Sequence, residues 1–317
     1  MVKFVVAPKV ICAPACLQRQ DKSKNFNRME KIAESELVLN PDGSIYHLKL
    51  RPEHVASDII VVGDQGRVTM VSDNFDHIEH KIQNREFCTH TGTINGKRIT
   101  AMSTGIGTDN IDIVLNELDA IVNIDLETRT IKEDKVSLNI IRLGTSGALQ
   151  EDVPVDSMVM SSYGLGFDGL LNFYEAKDVM EEDMSQAFIE HTQWGQDLSR
   201  PYIVKASEEL SDRIGEGMIS GITATAPGFY GPQGRILRLP LAHPAQNEKI
   251  SSFNYEGHRI TNYEMETSAL YGLGKMMGHN TCTVCAIIAN RIVQKYSKDY
   301  QATVSKMIKI VLERLTQ

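Results

Sequence analysis

Basic residues are in deficit. The 317-residue chain carries 33 Lys and Arg against 41 Asp and Glu, a net charge of −8. That balance excludes a broad nucleic-acid-binding surface, which needs a basic excess to neutralise phosphates. No run of eighteen apolar residues occurs, so no membrane-spanning helix is expected. Cysteines are few: Cys12, Cys16, Cys88, Cys282 and Cys285 form an odd, scattered set. Cys282 and Cys285 have the spacing of a redox or metal pair, but they lie in TCTVCAII, a β-branched apolar run. Residues three apart on a strand face opposite sides, and no second Cys/His pair completes a zinc site. Structural cysteines, no metal, no resident cofactor and a reducing, cytoplasmic compartment are therefore expected. A Gly-x-x-x-x-Gly-Lys-Ser/Thr segment is missing as well, which excludes P-loop chemistry.

What is present suits a large α/β fold. Hydrophobic residues make up 42% of the chain, enough to bury a sizeable core. Strands are expected at 58–62, 98–103, 138–143, 157–162, 218–224 and 282–289, and helices at 110–121, 186–190, 264–277 and 303–315. Alternation of the two predicts a mixed, mostly parallel sheet covered on both faces, with ligands beyond the carboxyl ends of its strands. Pro8, Lys9 and Pro14 interrupt the mildly apolar stretch from Met1 to Leu17, which argues against a secretory signal. Residues 1–40 are expected to be a peripheral or disordered extension, with 1–28 upstream of a second start at Met29, and residues 41–317 a single domain. The charged stretch 123–135, Arg129 included, is expected to be a solvated surface excursion.

Three strand ends in succession carry glycines, hydroxyls or arginines: Gly63-Asp64-Gln65-Gly66-Arg67, Ser103-Thr104-Gly105-Ile106-Gly107, and Arg142-Leu143-Gly144-Thr145-Ser146-Gly147. Glycine admits close backbone approach to a ligand, and arginine adds a fixed fork of donors. One such loop reads as an ordinary turn; three together read as an anion cradle. A Gly-x-Gly-x-x-Gly also occurs, at Gly164-Leu165-Gly166-Phe167-Asp168-Gly169. It falls mid-chain, and the short aromatic run after it is a poor opening for the helix that a dinucleotide fold requires.

STGIG at 103–107, IRLGTSGALQ at 141–150, FYGPQGR at 229–235 and NYEMETSA at 262–269 resemble the signature segments of the uridine phosphorylases, within the nucleoside phosphorylase-I family. YHLKL at 46–50, VVGDQGR at 61–67 and NREF at 84–87 follow the same order, so the resemblance runs from Ile45 to the C-terminus. It implies a single-domain three-layer α/β/α phosphorylase/hydrolase-like fold with a mixed central sheet. It also implies site residues. Gly63, Arg67, Arg142 and Thr145 are the phosphate binders of one subunit, and Arg85 is the arginine a neighbouring subunit adds. His47 reaches the ribose 5′-hydroxyl across the same interface, and Met265 and Glu266 hold the ribose. Gln233 and Arg235 read the uracil edge, Phe229 packs by the base, and Arg291 lies near it. Arg142, Glu266, Arg235 and Gln233 are thus the catalytic set.

The implied activity is phosphorolysis of uridine, and more weakly of deoxyuridine or thymidine, to uracil and α-ribose 1-phosphate in pyrimidine salvage. The alternative is a purine nucleoside phosphorylase or a water-using nucleosidase on the same fold. Purine-specific relatives place an aspartate near the end of the late strand, where this chain reads Ile287-Ile288-Ala289-Asn290-Arg291. Glutamine offers both donor and acceptor to an imide edge, which favours uracil. The expected partners are nucleoside, inorganic phosphate as co-substrate, and further copies of the chain, a dimer unit with shared sites within a hexamer. Gly231-Pro232 reverses the proline–glycine order of bacterial relatives. Asn110 replaces a serine beside the glutamate equivalent to Glu86, so the cation some relatives hold there is not carried over.

Overall fold

The computed structural model describes residues 31–317; the expectations for residues 1–28, with Cys12 and Cys16, lie outside that range. Fourteen strands follow in chain order: β1 (Asp58–Val62), β2 (His77–Asn84), β3 (Phe87–Ile94), β4 (Lys97–Ser103), β5 (Ile124–Asp125), β6 (Thr130–Ile131), β7 (Asn139–Ala148), β8 (Met158–Gly166), β9 (Tyr202–Lys205), β10 (Ile219–Thr225), β11 (Asn254–Tyr255), β12 (His258–Glu264), β13 (Asn280–Asn290) and β14 (Lys295–Tyr296). Twelve of them form one mixed sheet, in the order β11-β12-β10-β8-β13-β7-β1-β4-β3-β2, with β9 on β8 and β14 on β13. The pairs β1–β4, β1–β7 and β7–β13 are parallel. At its far end β12 turns back to pair antiparallel with β7, Asn262 opposite Ala148 and Tyr263 opposite Gly147. Strands β7, β12, β10, β8 and β13 thereby close into a ring.

Seven helices cover the sheet: α1 (Gln65–Ser72), α2 (Thr108–Asn123), α3 (Glu182–Thr192), α4 (Glu208–Gly215), α5 (Gln246–Ser252), α6 (Thr267–Met277) and α7 (Tyr300–Thr316). The period-two alternation of β1 sorts them into layers. Ile59 and Val61 pack with Val114, Leu118, Leu270 and Leu273 from α2 and α6. Ile60 and Val62 face the other way, toward Val68, Ile214, Met307 and Val311 from α1, α4 and α7. A third cluster, around Phe167, Phe188 and Phe253, lies under α3 and α5. This is the expected single-domain three-layer α/β/α architecture with a mixed central sheet.

Several local expectations need correction. Gly144–Gly147 is the second half of β7 rather than a loop, because β13 and β12 both pair with it. Gly164 and Gly166 lie inside β8. A Cβ on Gly164 would sit 2.9 Å from Ser268 Cα, and one on Gly166 would sit 2.4 Å from the Tyr202 ring. Those glycines let β8 press against the start of α6 and against β9; they cradle no dinucleotide. The stretch 123–135 is a short β5–β6 hairpin. Its Arg129 is not a solvated bystander: Nη1 donates to Leu37 O, and its backbone carbonyl accepts from Ile32 N. Leu37 is buried in the cluster under α2, so the packed body begins before residue 41.

Candidate active site

A cleft of about 770 Å³ opens where β1, β4, β7, β12 and β13 end, and residues from all three glycine-bearing segments line it. Gly63, Arg67, Arg142, Thr145, Met265, Glu266, Phe229, Gln233 and Arg235 all lie on its wall. The structure thus brings together nine of the twelve residues expected at the site. His47, Arg85 and Arg291 are the exceptions.

Arg142 is the hub of one end. Its side chain runs along β7 over Gly144, where a Cβ would meet Nη1 at 2.1 Å, so the glycine is the room the guanidinium needs. Nη1 lies 3.2 Å from Glu264 Oε2, and Nη2 pairs with Glu266 Oε2. Burial alone would disfavour the charged guanidinium, but Glu266 and then Glu264 outweigh it and hold Arg142 above its ordinary pKa. Burial pushes the Glu266 carboxyl up against the pull of Arg142, and Glu264 adds to the rise. Gly107 N donates to the other oxygen, Glu266 Oε1, at 2.8 Å. Gly107 has φ +101° at the N-cap of α2, a backbone state that favours glycine. Beside Arg142 lies Arg67, whose Nη1 donates to Leu143 O at 3.1 Å. Burial, and then its like-charged neighbour Arg142, lower the Arg67 pKa.

Glu264 is the residue that sequence reasoning missed. The expected helix from 264 would turn Glu264 and Glu266 to different faces. Instead Glu264 ends β12, Glu266 is the N-cap of α6, and both carboxylates meet Arg142. Only 4% exposed, Glu264 also accepts from Thr225 Oγ1 at 2.7 Å, Glu266 N at 2.9 Å and Thr267 N at 3.0 Å. Ser268 N donates to Thr225 Oγ1 at 2.9 Å. The free N–H groups at the start of α6 are therefore used inside the protein, leaving side chains and the neighbouring loops to hold any anion. The only advance signal was the acidic pair two residues apart in NYEMET.

The other end of the cleft is built from residues 229–235. Gln233 is 2% exposed and its Oε1 accepts from Arg235 Nη1. The Arg235 guanidinium carbon lies 3.7 Å from the centre of the Phe229 ring, a cation–π stack. Burial, with Arg291 nearby, lowers the Arg235 pKa. Arg291 itself does not line the cleft but lies against two residues that do, near Gly147 and 5.7 Å from the centre of the Tyr263 ring, and its Nη1 donates to the backbone carbonyl of Gln233. Ile288, Ala289 and Tyr263 complete this end. Asn290, at the end of β13, is buried and fully used: Nδ2 donates to Gln150 O and Val153 O at 2.8 Å each, and Oδ1 accepts from Ile292 N and Val293 N. Cys285 lies behind Arg142, 3.9 Å from Nη1, and burial pushes its thiol up to about 12. The thiol is a protonated packing group.

His47 and Arg85 lie together but outside this cleft. His47 Nδ1 is 2.6 Å from Glu117 Oε1. Asn84 Nδ2 donates to His47 O at 2.7 Å, and the next residue, Arg85, lies over the Tyr46 ring. Arg85 is also held in a left-handed backbone state, φ +53°. The next residue, Glu86, does line the cleft.

Residues 58–317 match the sequence pattern of the Phosphorylase superfamily. A uridine phosphorylase of Thermococcus kodakarensis is 29% identical over 295 residues, covering 90% of this chain and 93% of that protein. A DeoD-type purine nucleoside phosphorylase of Streptococcus suis is 25% identical over 281 residues, covering 85% of this chain and 98% of that one. Among solved structures, a Trypanosoma brucei nucleoside phosphorylase described as showing uridine phosphorylase activity superposes with a TM-score of 0.80 at 31% identity, over 88% of this chain and 99% of that chain.

Proposed function

This chain belongs to the phosphorylase superfamily, and from that premise we propose that it cleaves uridine by phosphorolysis, giving uracil and α-ribose 1-phosphate. The observation that carries the reading is one cleft with an arginine–carboxylate hub at one end and the Gln233–Arg235 pair at the other. The named activities of the Thermococcus and Trypanosoma relatives point the same way.

Phosphate is already an anionic nucleophile and needs positioning rather than deprotonation. Arg67, Arg142, the Thr145 hydroxyl and the Gly63 backbone hold it against the anomeric carbon. A phosphate oxygen forms the new bond to C1′ from the face opposite the base, and the C1′–N1 bond breaks with its electron pair going to the base. Inversion gives the α-phosphate. Glu266 accepts hydrogen bonds from the ribose 2′- and 3′-hydroxyls, with Met265 against the sugar, and its charge favours the oxocarbenium-like ring. Arg235 and Gln233 place donors where negative charge develops on uracil, with Phe229 against the ring; one such donor is typically worth about 3 kcal/mol in the transition state. Among the described residues, the base end of the wall holds no carboxylate for a purine N7, and Asn290 is committed to backbone carbonyls. Deoxyuridine and thymidine lose one partner of Glu266 and react more slowly.

Charge counting supports shared sites. Arg67 and Arg142 are balanced within the cleft wall by Glu264 and Glu266, so a phosphate dianion gains from a further cation. Arg85, with His47 beside it, is offered to the cleft of a neighbouring copy, which makes a dimer the minimal working unit and suits a hexamer of such dimers. The enzyme then serves pyrimidine salvage in the cytoplasm, and free buried thiols suit that reducing compartment.

Product analysis with uridine, with and without phosphate, tests this. Uracil and ribose 1-phosphate are expected only when phosphate is present. Uracil release indifferent to phosphate would identify a nucleosidase, and faster cleavage of inosine than of uridine would identify a purine enzyme.

A further inference from the structure

Gln233 enters the cleft from a tight turn. Gly231-Pro232-Gln233 makes a single 3₁₀ turn, and Gly234 follows in the left-handed region at φ +69°. Two side chains from other parts of the fold grip the carbonyl of Gln233. One is Arg291 at the end of β13. The other is Asn247 on α5, whose Nδ2 donates to Gln233 O at 3.1 Å. A carbonyl has two lone pairs, and two donors fix its orientation where one would let it swing. The second arm of Asn247 is also engaged: Oδ1 accepts from the Tyr263 hydroxyl at 3.2 Å, and the Tyr263 ring lines the cleft. Gly234 permits this arrangement twice over. Its φ favours glycine, and a Cβ there would sit 2.2 Å from Asn247 Nδ2.

We propose that Asn247 is a positioning residue for base recognition: it ties the turn bearing Gln233 and Arg235 to the cleft-lining Tyr263, and so sets where the uracil imide edge is read. The inference rests on the reading of Gln233 and Arg235 as the uracil-reading pair. The Gln233 side chain is buried and its oxygen is already paired with Arg235, so the pair tolerates little displacement of the backbone that carries it. Asn247 touches neither Arg142 nor Glu266, and its effect is confined to the base.

The test compares uridine with the riboside of pyrimidin-2-one, which keeps the ring and the 2-oxygen but lacks the 4-oxygen and the N3 hydrogen. Asn247→Ala is expected to lower kcat/KM for uridine roughly 10- to 100-fold, the scale of a small misplacement, mainly through KM. The KM for phosphate stays put, and uridine's advantage over the pyrimidin-2-one riboside shrinks by a similar factor. Asn247→Asp keeps an acceptor for Tyr263 but aims a carboxylate at the Gln233 carbonyl, so it loses at least as much. If the alanine variant does not fold, Asn247→Ser carries the same comparison. An unchanged ratio between the two nucleosides overturns the proposal. So does a parallel fall in both nucleosides, phosphate affinity and Tm, which marks a structural residue only. A wild-type enzyme that does not phosphorolyse uridine overturns the function itself, an outcome the wild-type control separates from the others.

Discussion

At one end of the cleft the working groups are set in strands: Arg142 in β7, Glu264 at the end of β12, and Glu266 one residue before α6. At the other end they ride on residues 229–245, a run of turns and a single short 3₁₀ segment. At the first end these three side chains are buried, and their polar atoms are partnered by one another, by Thr225, by Gly107 and by the start of α6. The second exposes Phe229, Tyr230, Ile236, Leu237 and Leu239. On the proposed function, the phosphate and ribose contacts thus rest on paired strands and their junctions, and the base contacts on an irregular segment at the surface. Asn247 on α5 and Arg291 at the end of β13 both tie the Gln233 carbonyl of that segment to the rest of the fold.

The largest break in this contrast is expected from Arg142→Ala. It removes the arginine that the proposed function gives to phosphate and strands two buried carboxylates, so turnover should vanish and stability should drop by about 3–5 kcal/mol, the usual cost of unpairing a buried charge. Steady-state kinetics and urea unfolding would show both losses in one variant. Gln233→Ala should separate them: kcat/KM for uridine falls on the order of 100-fold, while the unfolding midpoint stays at the wild-type value. A stability loss comparable to that of Arg142→Ala would erase the distinction between the two ends. The smallest effect belongs to the outer loop. Leu237→Ser with Leu239→Ser should change stability by no more than about 0.5 kcal/mol, as surface substitutions do, with phosphate KM unaltered.

Much of this was legible in the sequence, for reasons that particular residues make plain. The runs of β1, the first half of β7 and β13 are buried on both faces and rich in β-branched and apolar residues, so they read as strands. Arginines beside glycines pointed to the cleft because Gly144 leaves the room that the Arg142 guanidinium occupies. Glu264 stayed hidden because a helix and a strand-to-helix junction look alike in NYEMETSA, and tertiary pairing decides between them, with Glu264 opposite Thr225 of β10 and Tyr263 opposite Gly147 of β7. Arg129 and Leu37 were hidden for a different reason: their contact spans 92 residues and leaves no local pattern. Asn247 carried no signal at all, since an asparagine near the start of a short helix is ordinary. The antiparallel strands β2 and β3 were missed because β2 alternates half-buried and exposed positions and carries His77, His80 and Lys81, a poor match to an apolar run.

The ring formed when β12 returns to β7 has a bearing on how such a protein can change over generations. Its five strands hold Arg142 and Glu264 in one hydrogen-bonded circuit with no free edge between them, so a substitution there disturbs neighbours on every side. The segment from 229 to 245 lies outside the circuit. On the proposed function, a change of base preference made in that segment leaves the pairing of the circuit intact. Relatives that this chain resembles carry the names of both uridine and purine nucleoside phosphorylases.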